Sequence, residues 1–150
     1  MAGIFSNYVL IAGLVSWSVA QLLKVPLEYF ETRRWNWALL FRAGGMPSSH
    51  SALVTSIAHS TGLFIGFDSA LFALAAAVAM IVIYDATGIR RQAGIHAARI
   101  NALVDDLVSG HPLKGEQLRE VLGHTPLEAL GGVILGLIIG HLAWLLWGSA

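Results

Sequence analysis

Four apolar stretches, about residues 4–23, 51–67, 70–88 and 126–147, set the limits on what this chain can fold into. A helix needs about 20 apolar residues, at about 1.5 Å of rise each, to cross a bilayer. The expected fold class is therefore all-α: a polytopic membrane helix bundle with about four transmembrane helices, forming one integral membrane domain over 1–150. Composition points the same way. Hydrophobic residues make up 56% of the 150 and charged residues 12%, against about 25% charged in soluble domains. The first stretch has no basic region before it and no obvious cleavage site, so it reads as a retained span. Cysteine is absent, which excludes disulfides and thiolate metal sites. A net charge of zero gives no sign of a nucleic-acid partner.

The charges set a topology. All nine basic residues fall in two segments: Lys24, Arg33, Arg34 and Arg42 between the first two spans, and Arg90, Arg91, Arg99, Lys114 and Arg119 between the last two. With four spans these segments share one side, and the positive-inside rule makes that side cytoplasmic. Both termini and the Gly66-Phe67-Asp68 turn then lie opposite. Trp35, Trp37, Trp144 and Trp147 sit near segment ends, where interfacial aromatics belong.

The second basic segment, 89–125, carries short amphipathic helices in this reading. Ile100, Leu103, Val104 and Leu107 follow the spacing of one helical face, and Gly110-His111-Pro112 ends it. A second short helix is expected from about Gly115 to Leu122. In the last span Gly132, Gly136 and Gly140 recur every four residues, a stripe that permits close packing within one chain or across a homo-oligomer.

Two span entrances on the basic side carry the chemistry. Gly44-Gly45-Met46-Pro47-Ser48-Ser49-His50-Ser51 puts flexible backbone, hydroxyls and an imidazole where a helix begins. Helix starts offer orphan N–H groups and partial positive charge, which suit an oxyanion. At the other entrance, Thr125 and Glu128 spell a capping box with Pro126 at the first helical position. Glu128 also lies four residues after His124, where a carboxylate can hold an imidazole in one tautomer. One carboxylate is expected to serve one of these roles, not both. The paired histidines and the arginines around them suit phosphoryl chemistry: one histidine attacks phosphorus and the other protonates the leaving oxygen. His59, His96, His111 and His141 lack such a setting and read as structural.

Met46-Pro47-Ser48-Ser49-His50 resembles the central Pro-Ser-Gly-His motif of the phosphatidic acid phosphatase type 2 superfamily, which includes acid phosphatases and vanadium haloperoxidases. His124-Thr125-Pro126-Leu127-Glu128 resembles its closing His-x-x-x-Asp, with Glu for Asp. Together with Tyr84-Asp85-Ala86-Thr87-Gly88-Ile89-Arg90-Arg91, these strings are similar to the small divergent bacterial branch of that superfamily. The resemblance runs from about Lys24 to Gly136.

The resemblance implies a phosphatase acting through a phosphohistidine, with neither metal nor cofactor. His124 is then the nucleophile, Glu128 its orienter and His50 the general acid. Lys24, Ser48, Ser49, Arg90 and Arg91 bind the phosphate, and Asp85 supports the arginines. The chain departs from the superfamily's pattern at Glu31, where an Arg-Pro pair is expected, and at Gln117-Leu118, where Ser-Arg is expected. The implied partner is a phosphorylated lipid reached from the cytoplasmic face of the bilayer: phosphatidic acid, phosphatidylglycerophosphate or a polyprenyl (pyro)phosphate. The alternative is a membrane protein that binds or translocates such a lipid without cleaving it.

Overall fold

Residues 3–41, 44–108 and 123–148 are described in a computed structural model of the chain, except for the side chains of Arg90, Arg91 and residues 105–108. Five helices account for most of them: α1 (Tyr8–Thr32), α2 (Ser49–Ile65), α3 (Ala70–Thr87), α4 (Ile89–Val108) and α5 (Pro126–Trp147). No strand occurs among the described residues. Three stretches are long and apolar enough to cross a membrane: α1, α5 and the run from Ala70 through α4 to Val104. The expected four-helix count is compatible with this, because the 17-residue α2 runs within the bundle and packs against α1, α3 and α5.

The central helix α2 is short and unusually polar for its place. Its buried positions are nearly all small: Ser49, Ser51, Ala52, Thr55, Ser56, Ala58, Ser60, Thr61 and Gly62. Small side chains let helix backbones approach closely, which replaces the missing hydrophobic drive between helices in lipid. The glycine stripe of α5 uses that approach within the monomer. A Cβ at Gly136 would stand 2.6 Å from the Ala52 carbonyl oxygen, and one at Gly140 would stand 3.1 Å from that of Ser56. At Gly132 it would collide with the Ser48 carbonyl. On the other flank, the Ser16 hydroxyl of α1 donates to the Ala52 carbonyl at 3.1 Å, and Gly13 faces Ile57.

Aromatic clusters mark both ends of the bundle. Tyr8 stacks on Trp147 at 5.3 Å and on Phe64 at 6.2 Å. At the other end Trp35 stacks between Tyr29 and Trp37, with centroids 4.5 and 5.8 Å away. The Gly66 turn is tight: Gly66 has φ +116°, and the Ser69 hydroxyl donates to its carbonyl while capping α3.

The helix that carries the Ile100, Leu103 and Val104 stripe begins at Ile89, well before the stripe itself, and those three side chains are exposed. It is thus a 20-residue helix and not a short one. The expected helix from Gly115 to Leu122 lies outside the described residues, as do His111, Lys114 and Arg119.

Candidate functional site

One end of the bundle gathers α1, the start of α2, the end of α3 and the start of α5. His124 precedes α5 by two residues, and its backbone N–H donates to the Ala86 carbonyl in the last turn of α3 at 3.0 Å. That bond draws the residue off the α5 axis and into the bundle, leaving its side chain 7% exposed. Its Nδ1 lies 3.2 Å from Glu128 Oε2. A carboxylate there selects the tautomer with hydrogen on Nδ1 and leaves the lone pair on Nε2.

Glu128 does two jobs that looked exclusive. Its Oε2 accepts from the Thr125 N–H at 3.0 Å as well as meeting His124, while its own N–H donates to Thr125 Oγ1 at 3.3 Å. The capping box is complete. The two roles are compatible because His124 and Thr125 are consecutive, so both donors converge on one oxygen with two lone pairs. The cap therefore fixes the carboxylate that fixes the imidazole.

Lys24 approaches from α1. The helix continues past Pro26 to Thr32 and carries Lys24 into its buried interior, 2% exposed. The lysine stem passes Gly45, where a Cβ would lie 3.8 Å from Lys24 Cδ. Gly45 has φ +80° and Gly44 φ +98°, a region that disfavours any side chain. The ammonium interacts electrostatically with Glu128.

Ser48 ties the same end together. It caps α2, its hydroxyl accepting from the Ser51 N–H at 3.3 Å and from the Ser51 hydroxyl at 3.0 Å. Its backbone N–H donates to the Glu128 carbonyl at 2.9 Å. The donor that Ser48 keeps for a ligand is therefore its hydroxyl hydrogen, not its amide. Ser49 is buried in the first turn of α2, and its amide has no acceptor among the described residues. An orphan N–H at a helix start is a donor suited to an anion.

Lys24, Ser48, Ser49, His124 and Glu128 thus belong to one end and are linked through backbone and charge. His50 differs. It is exposed in the first turn of α2, and the helical repeat turns it away from the side that Ser48, Ala52, Thr55 and Ser56 present to α5. Asp85 lies one residue before Ala86 in α3. Arg90 and Arg91 lie in the first turn of α4, and the expectation for their side chains falls outside the described atoms. Among the described residues no group of three or more His, Asp or Glu side chains converges as a metal site would.

Two contributors leave no mark in the sequence: the Ala86 carbonyl, which positions His124, and the Ser51 hydroxyl, which donates to the capping oxygen of Ser48. Backbone acceptors leave no trace in residue identity. A third serine beside Ser48 and Ser49 carries no signal of its own.

Apolar spans, a helical bundle and interfacial aromatics define a polytopic membrane protein. Its sequence matches the family described as the divergent PAP2 family over residues 5–139. The chain belongs to that family. It is 38% identical over 147 residues to the uncharacterized membrane protein YuiD of Bacillus subtilis (strain 168), covering 91% of this chain and 93% of that protein. No solved structure matches it.

Proposed function

We propose that this protein is a membrane phosphatase that hydrolyses a phosphomonoester or pyrophosphate of a lipid at the cytoplasmic face of the bilayer. The observation that carries the reading is the buried His124 imidazole, held through Nδ1 by the capped carboxylate of Glu128. That arrangement leaves the lone pair on Nε2, as an oriented nucleophile requires.

In this reading Nε2 attacks phosphorus and an N–P bond forms as the bond to the leaving oxygen breaks. His50 gives its proton to that oxygen. Water then attacks the phosphohistidine, His50 takes a proton from it, and the N–P bond breaks to free phosphate and His124. The Ser49 amide, the Ser48 hydroxyl and the Lys24 ammonium supply donors for the phosphoryl oxygens, and the Arg90 and Arg91 guanidinium groups add charge. Membership of the divergent PAP2 family supports the reaction class. The two basic segments support the cytoplasmic orientation.

The test is phosphate release from lipid phosphates by the detergent-solubilised chain in the presence of EDTA. Release that vanadate inhibits and His124→Ala abolishes, with an unchanged melting curve, is the expected outcome. Tight lipid binding without release would instead make the protein a carrier or receptor of phosphorylated lipid.

A further inference from the structure

Where α1 ends, the chain doubles back and encloses a cavity of about 590 Å³, lined by Glu28, Thr32, Arg34, Trp35 and Asn36. Small-ligand sites span about 300–1,000 Å³. None of Lys24, Ser48, Ser49, His124 and Glu128 lines this cavity. It is a second site, although Glu28 stands only one helical turn beyond Lys24.

Local bonds set its walls. Arg33 ends the helix in the left-handed region, at φ 58°, and its N–H donates to the Tyr29 carbonyl at 2.8 Å. The reversal returns Arg34 to the last turn of α1. There Thr32 Oγ1 accepts from the Arg34 N–H at 3.3 Å and donates to the Glu28 carbonyl at 2.9 Å. Trp35 is held in the stack with Tyr29 and Trp37. Trp35 and Trp37 are both exposed, as indoles at the headgroup level of a bilayer are.

Three polar side chains in the cavity are unspent. Neither the Glu28 carboxylate nor the Arg34 guanidinium meets a hydrogen-bond or ion-pair partner among the described residues. Asn36 stands at the N-cap of the short 3-10 turn Trp37–Leu40, yet its side chain makes no cap bond. The mixture of signs selects the ligand. A simple anion drawn to Arg34 meets the Glu28 carboxylate, and a simple cation drawn to Glu28 meets the guanidinium. A ligand with both charges on neighbouring groups satisfies both residues. A primary ammonium also brings three N–H donors for the carboxylate and the Asn36 amide oxygen, which a quaternary ammonium lacks. We propose that this cavity binds the glycerophosphoethanolamine group of an aminophospholipid, with its phosphate on Arg34 and its ammonium on Glu28 and Asn36. No histidine is among the lining residues, so the phosphodiester is held there and not cleaved.

The test is native mass spectrometry of the full chain released from detergent, titrated with dihexanoyl phosphatidylethanolamine, phosphatidylglycerol and phosphatidylcholine. The wild type should hold the ethanolamine lipid roughly tenfold tighter than the other two. Glu28→Gln should erase the margin over phosphatidylglycerol by weakening the ethanolamine lipid alone. Arg34→Gln should weaken both of these lipids by roughly tenfold. Phosphatidylglycerol or phosphatidylcholine bound as tightly as the ethanolamine lipid, or a margin that survives Glu28→Gln, overturns the assignment. Free glycerophosphoethanolamine distinguishes the sources of the group. Binding weaker than that of the lipid supports a bilayer source, and equal binding overturns the lipid as the source in favour of the soluble phosphodiester.

Discussion

At the scale of single residues, the candidate site is an exercise in sharing. Glu128 caps α5 and meets His124 through one oxygen, so stability and orientation separate only by choice of variant. Thr125→Ala removes the hydroxyl that accepts from the Glu128 N–H and should cost about 1 kcal/mol of stability, seen as a lower melting temperature, with turnover nearly unchanged. Glu128→Gln keeps an oxygen for the cap but loses the charge that favours one tautomer. It should melt close to the wild type while turnover falls by on the order of a hundredfold. The reverse pattern would make the pair a helix cap with no part in chemistry. The residue types were legible in the sequence because His124, Thr125 and Glu128 stand at fixed helical spacings. That one oxygen serves both neighbours was not, since spacing does not say where a carboxylate points.

At the scale of elements, the short polar helix α2 is the piece on which the others pack. The glycine stripe was visible as a period of four, but whether it served one chain or two was open; the structure seats it against α2. Gly132→Ala sets a methyl against the Ser48 carbonyl and should cost about 1–3 kcal/mol through overpacking, with loss of activity because Ser48 opens the helix start. Gly131→Ala is the control. Its Cβ would lie 3.4 Å from Met46 Cε and 3.6 Å from Pro47 Cβ, contacts that a flexible methionine accommodates, so its melting temperature should stay near that of the wild type. Equal losses in the two variants would deny the stripe its packing role. The reach of α1 past Pro26 was not legible, because a proline and a lysine together look like the end of a span. The helix nonetheless continues to Thr32 and buries Lys24 at the site.

At the scale of the whole molecule, charge placement predicts an orientation. The absence of native cysteine makes single-cysteine labelling clean. Asp68→Cys, at the exposed turn between α2 and α3, should react with a membrane-impermeant maleimide added outside intact cells. Gln92→Cys, exposed on α4, should react only after lysis; the opposite pattern would put the histidines outside. The bundle, its membrane setting and the family were legible because apolar length and three ordered motifs are written in residue identity. His124 carries the phosphoryl group in the proposed reaction, and acid-sensitive labelling tests that role most directly. Brief mixing with lipid bearing radiolabelled phosphate, quenched with alkaline denaturant, should leave an alkali-stable, acid-labile label on the wild-type chain at His124 and none on His124→Ala. Phosphate release with no such label, or a label that persists in His124→Ala, would contradict it.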